Sequence, residues 1–404
     1  MTVPTTDPTP HNAMRRAPLT FLAAIAFLLA PPAAAAQSTP DTIGAGWEFD
    51  SQVYRYRVEV VATGFRVPFG LAFLPDGRLL VSDRVGILSL VDVRTGTTTR
   101  VDGTPPTSAL ADTVDGGLLD VAVHPNHAQN GWLYLSYAEE SDSGNATVVE
   151  RARLRENRLV ERQRLFTAFP AVAGYHHFGS RLALANGYLF ITLGERDIPP
   201  LAQELWTHFG KVVRLHDDGR VPADNPFTGR PGARPEIWSY GHRNAHGLAV
   251  HPATGELWES EHGPLGGDEI NIVRRGANYG WPTVTFGREY DGGVVGDGRA
   301  QAPGMEPPAH HYSTSAALSG IAFYTGSAFP RWRDNLFVGA MAPRFLARLV
   351  IADGRVRTEE RLLLEKRWRV RAVQTGPDGF IYLAVQRTPD GNGGLIARLR
   401  PVEP

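Results

Sequence analysis

One strand–turn–strand pattern repeats six times along the chain and constrains the fold more than any other feature. Each copy has an alternating apolar run, a turn and a second alternating run, which is typical of a β-hairpin. The copies span residues 70–83, 120–137, 181–194, 247–260, 320–340 and 372–385. Helical periodicity is nearly absent, and Gly and Pro are abundant enough to supply many turns. We therefore predict an all-β fold, a six-bladed β-propeller made by residues 37–404 as one domain.

The spacing of the copies indicates where a ligand site would lie. The widest gaps follow the third and fourth copies and include residues 200–236 and 287–319. We expect these to be extra loops on one face, where the loops of a propeller meet its central channel.

Charge and cysteine content exclude some classes of protein. The formal net charge is −1, which argues against a surface that binds nucleic acid or another polyanion. The chain has no cysteine, so neither disulfides nor thiolate metal sites contribute to the fold.

The N-terminal segment has the pattern of a secretory signal peptide. Arg15 and Arg16 precede an apolar run at residues 19–30, and an Ala-rich stretch ends at Ala36. Cleavage there would make residues 1–36 the signal peptide and Gln37 the mature N-terminus, giving a periplasmic or secreted protein. The apolar run is short for a membrane span, so none is expected in the mature chain; a retained anchor is the alternative.

Residues 239–282 form the densest group of candidate functional residues. Glycines and prolines there separate polar side chains: His242, Arg243, Asn244, His262, Asp268 and Glu269. Backbone and carboxylate oxygens of such a rigid loop suit a hard cation such as calcium. For any one of these residues, a solvated turn is an equal alternative; for the whole run it is a poor explanation.

Four motifs in this run resemble those of the soluble quinoprotein sugar dehydrogenases, the glucose/sorbosone dehydrogenase family, and most of all its aldose sugar dehydrogenase branch. They are GHRN (241–244), SEHGP (260–264), GGDEIN (266–271) and NYGWP (278–282). The likeness extends from about Val61 to about Val385. It implies a six-bladed propeller that binds pyrroloquinoline quinone (PQQ) and calcium. It also implies oxidation of an aldose at C1 to the lactone, with transfer of electrons to a redox acceptor.

The resemblance assigns catalytic and metal-binding roles. His177, four residues before Arg181, matches the general base, and a neutral imidazole is suited to removing a hydroxyl proton near neutral pH. Arg243 is placed against the quinone, where a guanidinium can stabilise developing charge. The carbonyl groups of Gly263 and Pro264 match the calcium ligands.

The resemblance also assigns a set of cofactor-binding residues, some of which depart from the family pattern. The set is Asn244, His262, Ser315, Arg369, Arg371, Asp115 and Glu195. Relatives often have Gln at the position of Asp115, Thr at that of Ser315 and Asp at that of Glu195. Some relatives have a lysine that contacts PQQ where this chain has Ala342, and Arg344 is a candidate substitute.

Two other functions compete with this interpretation. A metal-dependent lactone hydrolase on a six-bladed propeller would bind its cation through side-chain carboxylates and would not need paired arginines. A non-catalytic glycan-binding propeller would account for the blades but not for His177 together with Arg243, Asn244 and Arg371. Neither the preferred sugar nor the natural acceptor follows from the sequence.

Overall fold

The computed structural model describes residues 42–108, 115–386 and 393–402, which form six β-sheets. The predicted signal peptide, residues 1–36, lies outside the described residues. The chain begins with strands β1 (Gly46–Asp50) and β2 (Arg55–Phe65). Blade one consists of β3 (Pro68–Phe73), β4 (Leu79–Asp83), β5 (Ile87–Val91) and β6 (Thr98–Val101). Blade two consists of β7 (Leu118–Val123), β8 (Trp132–Ser141), β9 (Gly144–Arg155) and β10 (Arg158–Thr167).

The remaining blades repeat this order. Blade three consists of β11 (Gly179–Ala185), β12 (Tyr188–Leu193), β13 (Lys211–His216) and β14 (Ile237–Tyr240). Blade four consists of β15 (Ala245–Val250), β16 (Leu257–Glu261), β17 (Asp268–Val273) and β18 (His310–Tyr312). Blade five consists of β19 (Leu318–Phe323), β20 (Leu336–Ala340), β21 (Phe345–Ala352) and β22 (Arg355–Leu362). Blade six consists of β23 (Arg369–Thr375), β24 (Ile381–Gln386) and β25 (Gly394–Pro401), joined by β2 and β1.

Blade six closes the ring with strands from both ends of the chain. Its order is β1-β2-β25-β24-β23, so the early strand β2 pairs antiparallel with the last strand β25. This pairing fastens the N-terminal strands into the last blade through backbone hydrogen bonds, and β2 leads directly into β3 of blade one, so the ring is closed. The six predicted hairpins are confirmed as the two innermost strands of each blade.

Helices contribute little to the described part of the chain. One short α-helix, α1 (His127–Asn130), and three 3₁₀ turns (Pro199–Ala202, Pro330–Trp332 and Leu364–Lys366) lie in connections. Among the described residues, no helix has the length and apolar character needed to cross a bilayer.

Hydrophobic side chains are buried mainly between adjacent blades. The largest cluster joins blades five and six and includes Trp332, Trp368 and Tyr56. Comparable clusters fill the interfaces of blades one and two, two and three, three and four, four and five, and six and one. Because each sheet is covered on both faces by its neighbours, its inner strands carry apolar residues on both faces.

Buried hydroxyl groups connect the inner strands of successive blades. Ser136 in β8 accepts the N–H of Asp120 at 2.9 Å and donates to the carbonyl of Ser180 at 2.6 Å. Thr192 in β12 makes the same pair of bonds one blade further on. Each inner strand has a bulge at this level, which frees the N–H that the hydroxyl satisfies. The hydroxyls therefore fix the inner strands around the channel.

The expectation that residues 200–236 and 287–319 are loops on one face is wrong in part, because both segments contain strands. Lys211 at the start of β13 pairs with Leu193, whereas His216 at its end pairs with Tyr188. Residues 200–210 therefore lie at the end of the channel where β12 ends, and residues 217–236 begin at the opposite end.

Candidate active site

The predicted site residues converge at one end of the channel, where the inner strands begin. Most lie just before or at the start of an inner strand, and the others lie in the loops that follow the neighbouring second strands β12 and β16. Contacts join them: Asn244 Oδ1 accepts the N–H of Gly179 at 3.1 Å, and the N–H of Glu195 donates to the carbonyl of Arg243 at 2.9 Å. The residues brought together are His177, Arg243, Asn244, His262, Gly263, Pro264, Ser315, Arg369, Arg371, Asp115 and Glu195.

His177 is held by carboxylates on one edge of its ring. Its Nδ1 lies 2.9 Å from Oε2 of Glu195, which is buried, and 3.1 Å from Oδ1 of Asp197, which is exposed. Ionised carboxylates only accept hydrogen bonds, so Nδ1 carries the proton and Nε2 is the unprotonated nitrogen of the neutral ring. Within the described residues Nε2 has no hydrogen-bond partner. The ring is therefore oriented to accept a proton from a bound molecule.

Arg243 is fixed against the loop that the sequence assigns to calcium. Its Nη1 donates to the carbonyls of His262 at 3.2 Å and Gly263 at 2.8 Å, and its guanidinium lies 5.2 Å from the ring of Trp281. Its Nε is buried and has no partner among the described residues. A buried cation with one unpaired N–H is a site for an anionic or carbonyl oxygen.

The calcium-assigned carbonyls lie in a tight loop beside Ser315. Ser315 Oγ accepts the N–H of Gly266 at 2.8 Å and donates to the carbonyl of Pro264 at 3.4 Å. Each carbonyl oxygen has two lone pairs, so Gly263 and Pro264 retain one each after the bonds to Arg243 and Ser315. The loop can therefore offer two backbone oxygens to a hard cation.

His262 lies deeper and is neutral. Burial, with a further contribution from the Arg243 guanidinium, lowers the pKa of His262 to about 3. Its ring stacks on that of His246 with centroids 4.3 Å apart, and its Nε2 is buried without a partner among the described residues. It can contribute one neutral hydrogen bond to a ligand but no charge.

Arg371 and Arg369 supply positive charge from β23. Arg371 is buried and donates to Gln386 Oε1 through Nε at 2.9 Å and Nη2 at 2.6 Å. Burial and the nearby charges of Arg84 and Arg369 hold the pKa of Arg371 well below its ordinary value. Arg369 has a buried Nε without a partner within the described part of the chain. Unneutralised cations in a dry site favour an anionic ligand.

Arg84, which sequence reasoning missed, is a further buried arginine of this site. Its Nε donates to the carbonyl of Gly116 at 3.0 Å, and its Nη1 lies 3.9 Å from Oδ1 of Asp115. The signal that could have identified it is its place directly after β4, the second strand of blade one, in the loop equivalent to those that carry Glu195 and His262.

Asp115 faces the same group of cations. Burial alone would raise its pKa, but the charges of Arg84, His177 and Arg371 lower the pKa of Asp115 overall. Oδ2 of Asp115 lies 3.4 Å from the N–H of His177 and 3.9 Å from Nδ1 of His176. The carboxylate is therefore ionised and offsets part of the positive charge.

Arg344 lies near enough to Arg369 for its charge to lower the pKa of Arg369. Burial makes the larger contribution to this lowering. Ala342, where some relatives have a lysine, is exposed at the start of the same turn. Arg344 is thus placed to add positive charge that Ala342 does not provide.

A buried cluster of three glutamates and Asn271 lies next to the site and binds the backbone of Arg243. The Asn271 amide donates to Glu259, Glu261 and Glu269 at 2.8, 3.0 and 3.2 Å, and Glu261 Oε2 accepts the N–H of Arg243 at 2.5 Å. Burial and the charge of Glu261 raise the pKa of Glu259 to about 7. The ligand atoms of His242, Glu259 and Glu261 lie within 4.8 Å of one another, close enough to hold a metal ion. Those of His177, Glu195 and Asp197 are equally close, but there the ring Nδ1–H donates to Glu195 and is not available as a metal ligand.

Arg181 closes the channel below the site. Its guanidinium donates to the carbonyls of His246 at 2.6 Å, Phe69 at 2.8 Å and Arg371 at 2.6 Å, and it pairs with Asp120 at 3.2 Å. These partners lie on four inner strands. The cavity of about 280 Å³ at the opposite end of the channel, which Asp120 and Arg181 line, is therefore separate from the site.

Comparisons with known proteins agree with this geometry. The model of the family described as "Glucose / Sorbosone dehydrogenase" matches residues 65–397. The chain is 40% identical over 345 residues to the aldose sugar dehydrogenase YliI of Escherichia coli (strain K12), covering 84% of this chain and 91% of that protein.

Two solved structures extend the comparison. The apo-form of the soluble aldose sugar dehydrogenase from Escherichia coli is similar with a TM-score of 0.81 and 38% identity, covering 86% of this chain and 100% of that one. The PQQ-bound aldose sugar dehydrogenase from Streptomyces coelicolor is similar with a TM-score of 0.70 and 28% identity, covering 88% and 98%. From these matches and its six-bladed propeller, the chain belongs to the glucose/sorbosone dehydrogenase family.

Proposed function

We propose that this chain is a PQQ-dependent aldose dehydrogenase that oxidises the C1 hydroxyl of an aldose to the lactone and passes the electrons to a redox acceptor. The observation that carries the proposal is the arrangement of His177. Its Nε2 has no partner among the described residues, its Nδ1 lies beside two carboxylates, and a group of buried arginines lies at the same end of the channel.

The residues present fit PQQ and calcium. Buried polar atoms of Arg243, His262 and Arg369 have no partner within the described residues, and a polycarboxylate quinone would supply acceptors for the two guanidinium Nε–H groups. Arg371 and Arg84 would add charge that balances its carboxylates. The carbonyls of Gly263 and Pro264, with Ser315 beside them, would contribute oxygen ligands to calcium.

The chain's own residues would handle the proton of the reaction. PQQ with calcium, when bound, would supply the acceptor for the hydride that leaves C1 of the sugar. His177 Nε2 would take the proton of the C1 hydroxyl, and Glu195 would stabilise the resulting imidazolium through Nδ1–H. Asn244, through its bond to Gly179, would keep the segment after His177 in place.

The relatives support this proposal through their names and states. An Escherichia coli relative is named an aldose sugar dehydrogenase, and a similar Streptomyces coelicolor structure is a PQQ-bound form. We also propose export to the periplasm or the medium, which rests on the signal-peptide pattern alone.

The competing functions account for fewer observations. A lactone hydrolase would bind its cation through carboxylate ligands. It gives no role to Arg243 and Arg369, whose buried Nε atoms have no partner within the part of the chain that the structure describes. A glycan-binding propeller would not need an imidazole oriented by a buried glutamate.

Reconstitution tests the proposal. The purified protein should reduce a dye with aldoses only after addition of PQQ and calcium, and a chelator should abolish the activity. His177→Asn should lower the rate of quinone reduction by roughly 10²–10⁴-fold while PQQ absorbance shows the cofactor still bound. His176→Asn is the matched control, since this neighbouring side chain is half exposed. Turnover in chelator without PQQ, or a parental rate in His177→Asn, would refute the proposal.

A further inference from the structure

Two carboxylates share one nitrogen of the proposed base. Nδ1 of His177 is hydrogen bonded to Glu195 Oε2 at 2.9 Å and lies 3.1 Å from Oδ1 of Asp197, the distance of an ion-pair contact. The side chain of Glu195 is 1% exposed, whereas that of Asp197 is 54% exposed. The hydrogen bond to Glu195 is enough to orient the ring. The second carboxylate therefore acts mainly through its negative charge beside Nδ1.

The backbone is bent to bring Asp197 to this place. Arg196 and Asp197 are consecutive non-glycine residues with φ of 61° and 57°, and His177 has φ of 52°. Such left-handed conformations are costly for residues other than glycine and persist only where surrounding contacts enforce them. The N–H of Asp197 donates to Glu195 Oε2 at 2.5 Å, so the turn closes on the same carboxylate that holds His177.

Arg196 locks this turn to the segment that carries His177. It donates to the carbonyls of His176 at 2.9 Å and Gly174 at 2.7 Å, and to Asn145 Oδ1 at 2.5 Å. Its guanidinium also lies over the ring of Phe178 at 3.9 Å. Movement of Asp197 away from His177 would therefore require the backbone of a well-anchored turn to move.

We propose that Asp197 is a second positioning residue for His177, whose carboxylate charge beside Nδ1 adds to the hydrogen bond that Nδ1–H donates to Glu195 and stabilises the protonated ring that forms when Nε2 takes the sugar proton. This inference rests on the proposed role of His177 as base. Because Asp197 is exposed, its contribution is screened by water and is smaller than that of Glu195.

Other charged groups near His177 do not reproduce this effect. Those that face it are Glu195 and Asp197 from the turn after β12, Asp115 before β7, His176 beside it and His262 after β16. Asp115 has a lowered pKa and His262 a pKa of about 3. Neither changes charge between about pH 5 and pH 9, and His176 can be removed by His176→Asn in the same series.

The test measures the pH titration of the His177 ring by NMR, in the cofactor-free protein. With ¹³C-labelled histidine, the His177 signal is assigned by its loss in His177→Asn, and its titration is followed by NMR. Asp197→Asn should lower the titration midpoint by roughly 0.2–0.7 pH unit, and Glu195→Gln should lower it more. Asp197→Gly also suits a positive φ and provides a second variant if Asn disturbs the turn.

Asp353→Asn is the matched control. Asp353 is also exposed, has φ of 53° and pairs with an arginine, Arg357, but it lies at a hairpin end of blade five. It removes the same charge from the same backbone conformation and should leave the midpoint unchanged. In the PQQ-loaded enzyme, Asp197→Asn should move the acid limb of kcat/KM to lower pH and lower the plateau a few-fold.

The outcomes separate this inference from the proposed function. A His177 midpoint that is the same in Asp197→Asn, Asp197→Gly and Asp353→Asn would overturn the role of Asp197. A shifted midpoint in a protein that oxidises no aldose would support the role of Asp197 and reject the proposed function instead.

Discussion

Replacement of Arg181 by Met should destabilise the propeller and disturb the site at the same time. Arg181 is buried and satisfies three backbone carbonyls and Asp120 on four inner strands. Removing one partner of a buried ion pair costs about 3–5 kcal/mol, and each orphaned carbonyl adds about 1–3 kcal/mol. The adjacent cavity, about 280 Å³, lets water reach some of these groups. Adding the two costs therefore overstates the loss in the free energy of unfolding.

We therefore expect a loss of about 4–6 kcal/mol in the free energy of unfolding. With an unfolding entropy of roughly 2.1 cal/mol/K per residue, this lowers Tm by roughly 5–8 °C for a propeller of ~360 residues. Urea unfolding followed by circular dichroism measures the free energy, and calorimetry measures Tm. Because the Arg181 bond holds the carbonyl of Arg371, the affinity for PQQ should fall as well.

The pH dependence of the stability loss shows whether the unpaired carboxylate of Asp120 causes it. Burial raises the pKa of Asp120 even with Arg181 present. A carboxyl with a raised folded pKa contributes stability below its ordinary pKa and loses it as pH rises through the folded value. Without Arg181 the pKa should rise further, so the loss in Arg181→Met should be largest near neutral pH and shrink as pH falls.

A double-mutant cycle with Asp120→Asn completes the experiment. Asp120→Asn removes the charge that Arg181→Met leaves unpaired, so the double variant should be more stable than the sum of the two single losses predicts. Strict additivity, or a loss under about 1 kcal/mol that does not change with pH, would show that Arg181 does not hold the channel together.

Four further predictions concern the proposed cofactor site and export. Arg371→Ala should raise the Kd for PQQ by roughly 100-fold, about 3 kcal/mol, because a buried carboxylate loses its cation. Arg243→Ala should slow quinone reduction more than it weakens binding; parental behaviour of both variants in equilibrium titration and stopped-flow would contradict the site. Ala342→Lys should tighten PQQ binding in the same titration, and an unchanged Kd would indicate that Arg344 already supplies this charge. Mass spectrometry of the exported protein should find Gln37 at the N-terminus, and an intact chain in the membrane fraction would argue for a retained anchor.

The sequence predicted the blades because each hairpin carries its own local signal. Alternating apolar runs and Gly-containing turns mark the two inner strands of every blade. The outer strands are less apolar: β6 (TTRV) and β22 (RVRTEERL) are largely exposed and alternate weakly. The pairing of β2 with β25 joins residues 329 to 345 positions apart, from Phe65↔Gly394 to Tyr56↔Pro401, and has no local signal.

Motif resemblance predicted some residues of the candidate site, and others enter it only through the geometry of the fold. His177, Arg243 and Gly263 were predicted from the resemblance. Arg84 and Asp197 were not, because an arginine after a strand and an aspartate in a turn are normally solvated. Their roles depend on the ring of blades, which brings Arg84 to Asp115 and Asp197 to His177 across 31 and 20 residues of sequence.

This chain has Asp115 in the candidate site and no lysine at residue 342, and both differences reduce the positive charge there. The buried arginines explain why a small ligand with several carboxylates can still be expected to bind. Arg84 and Arg369 lie close enough to Arg371 to lower its pKa, and burial lowers this pKa most, yet guanidinium groups stay charged in proteins. The folded chain therefore bears a repulsive free energy that Asp115 and Gln386 offset only in part. A ligand with several carboxylates relieves it, so binding affinity comes from removing this repulsion as well as from new hydrogen bonds. Asp115 would then lower the affinity for such a ligand but offsets part of the repulsion without it, so one acid among these arginines is consistent with the proposed cofactor site.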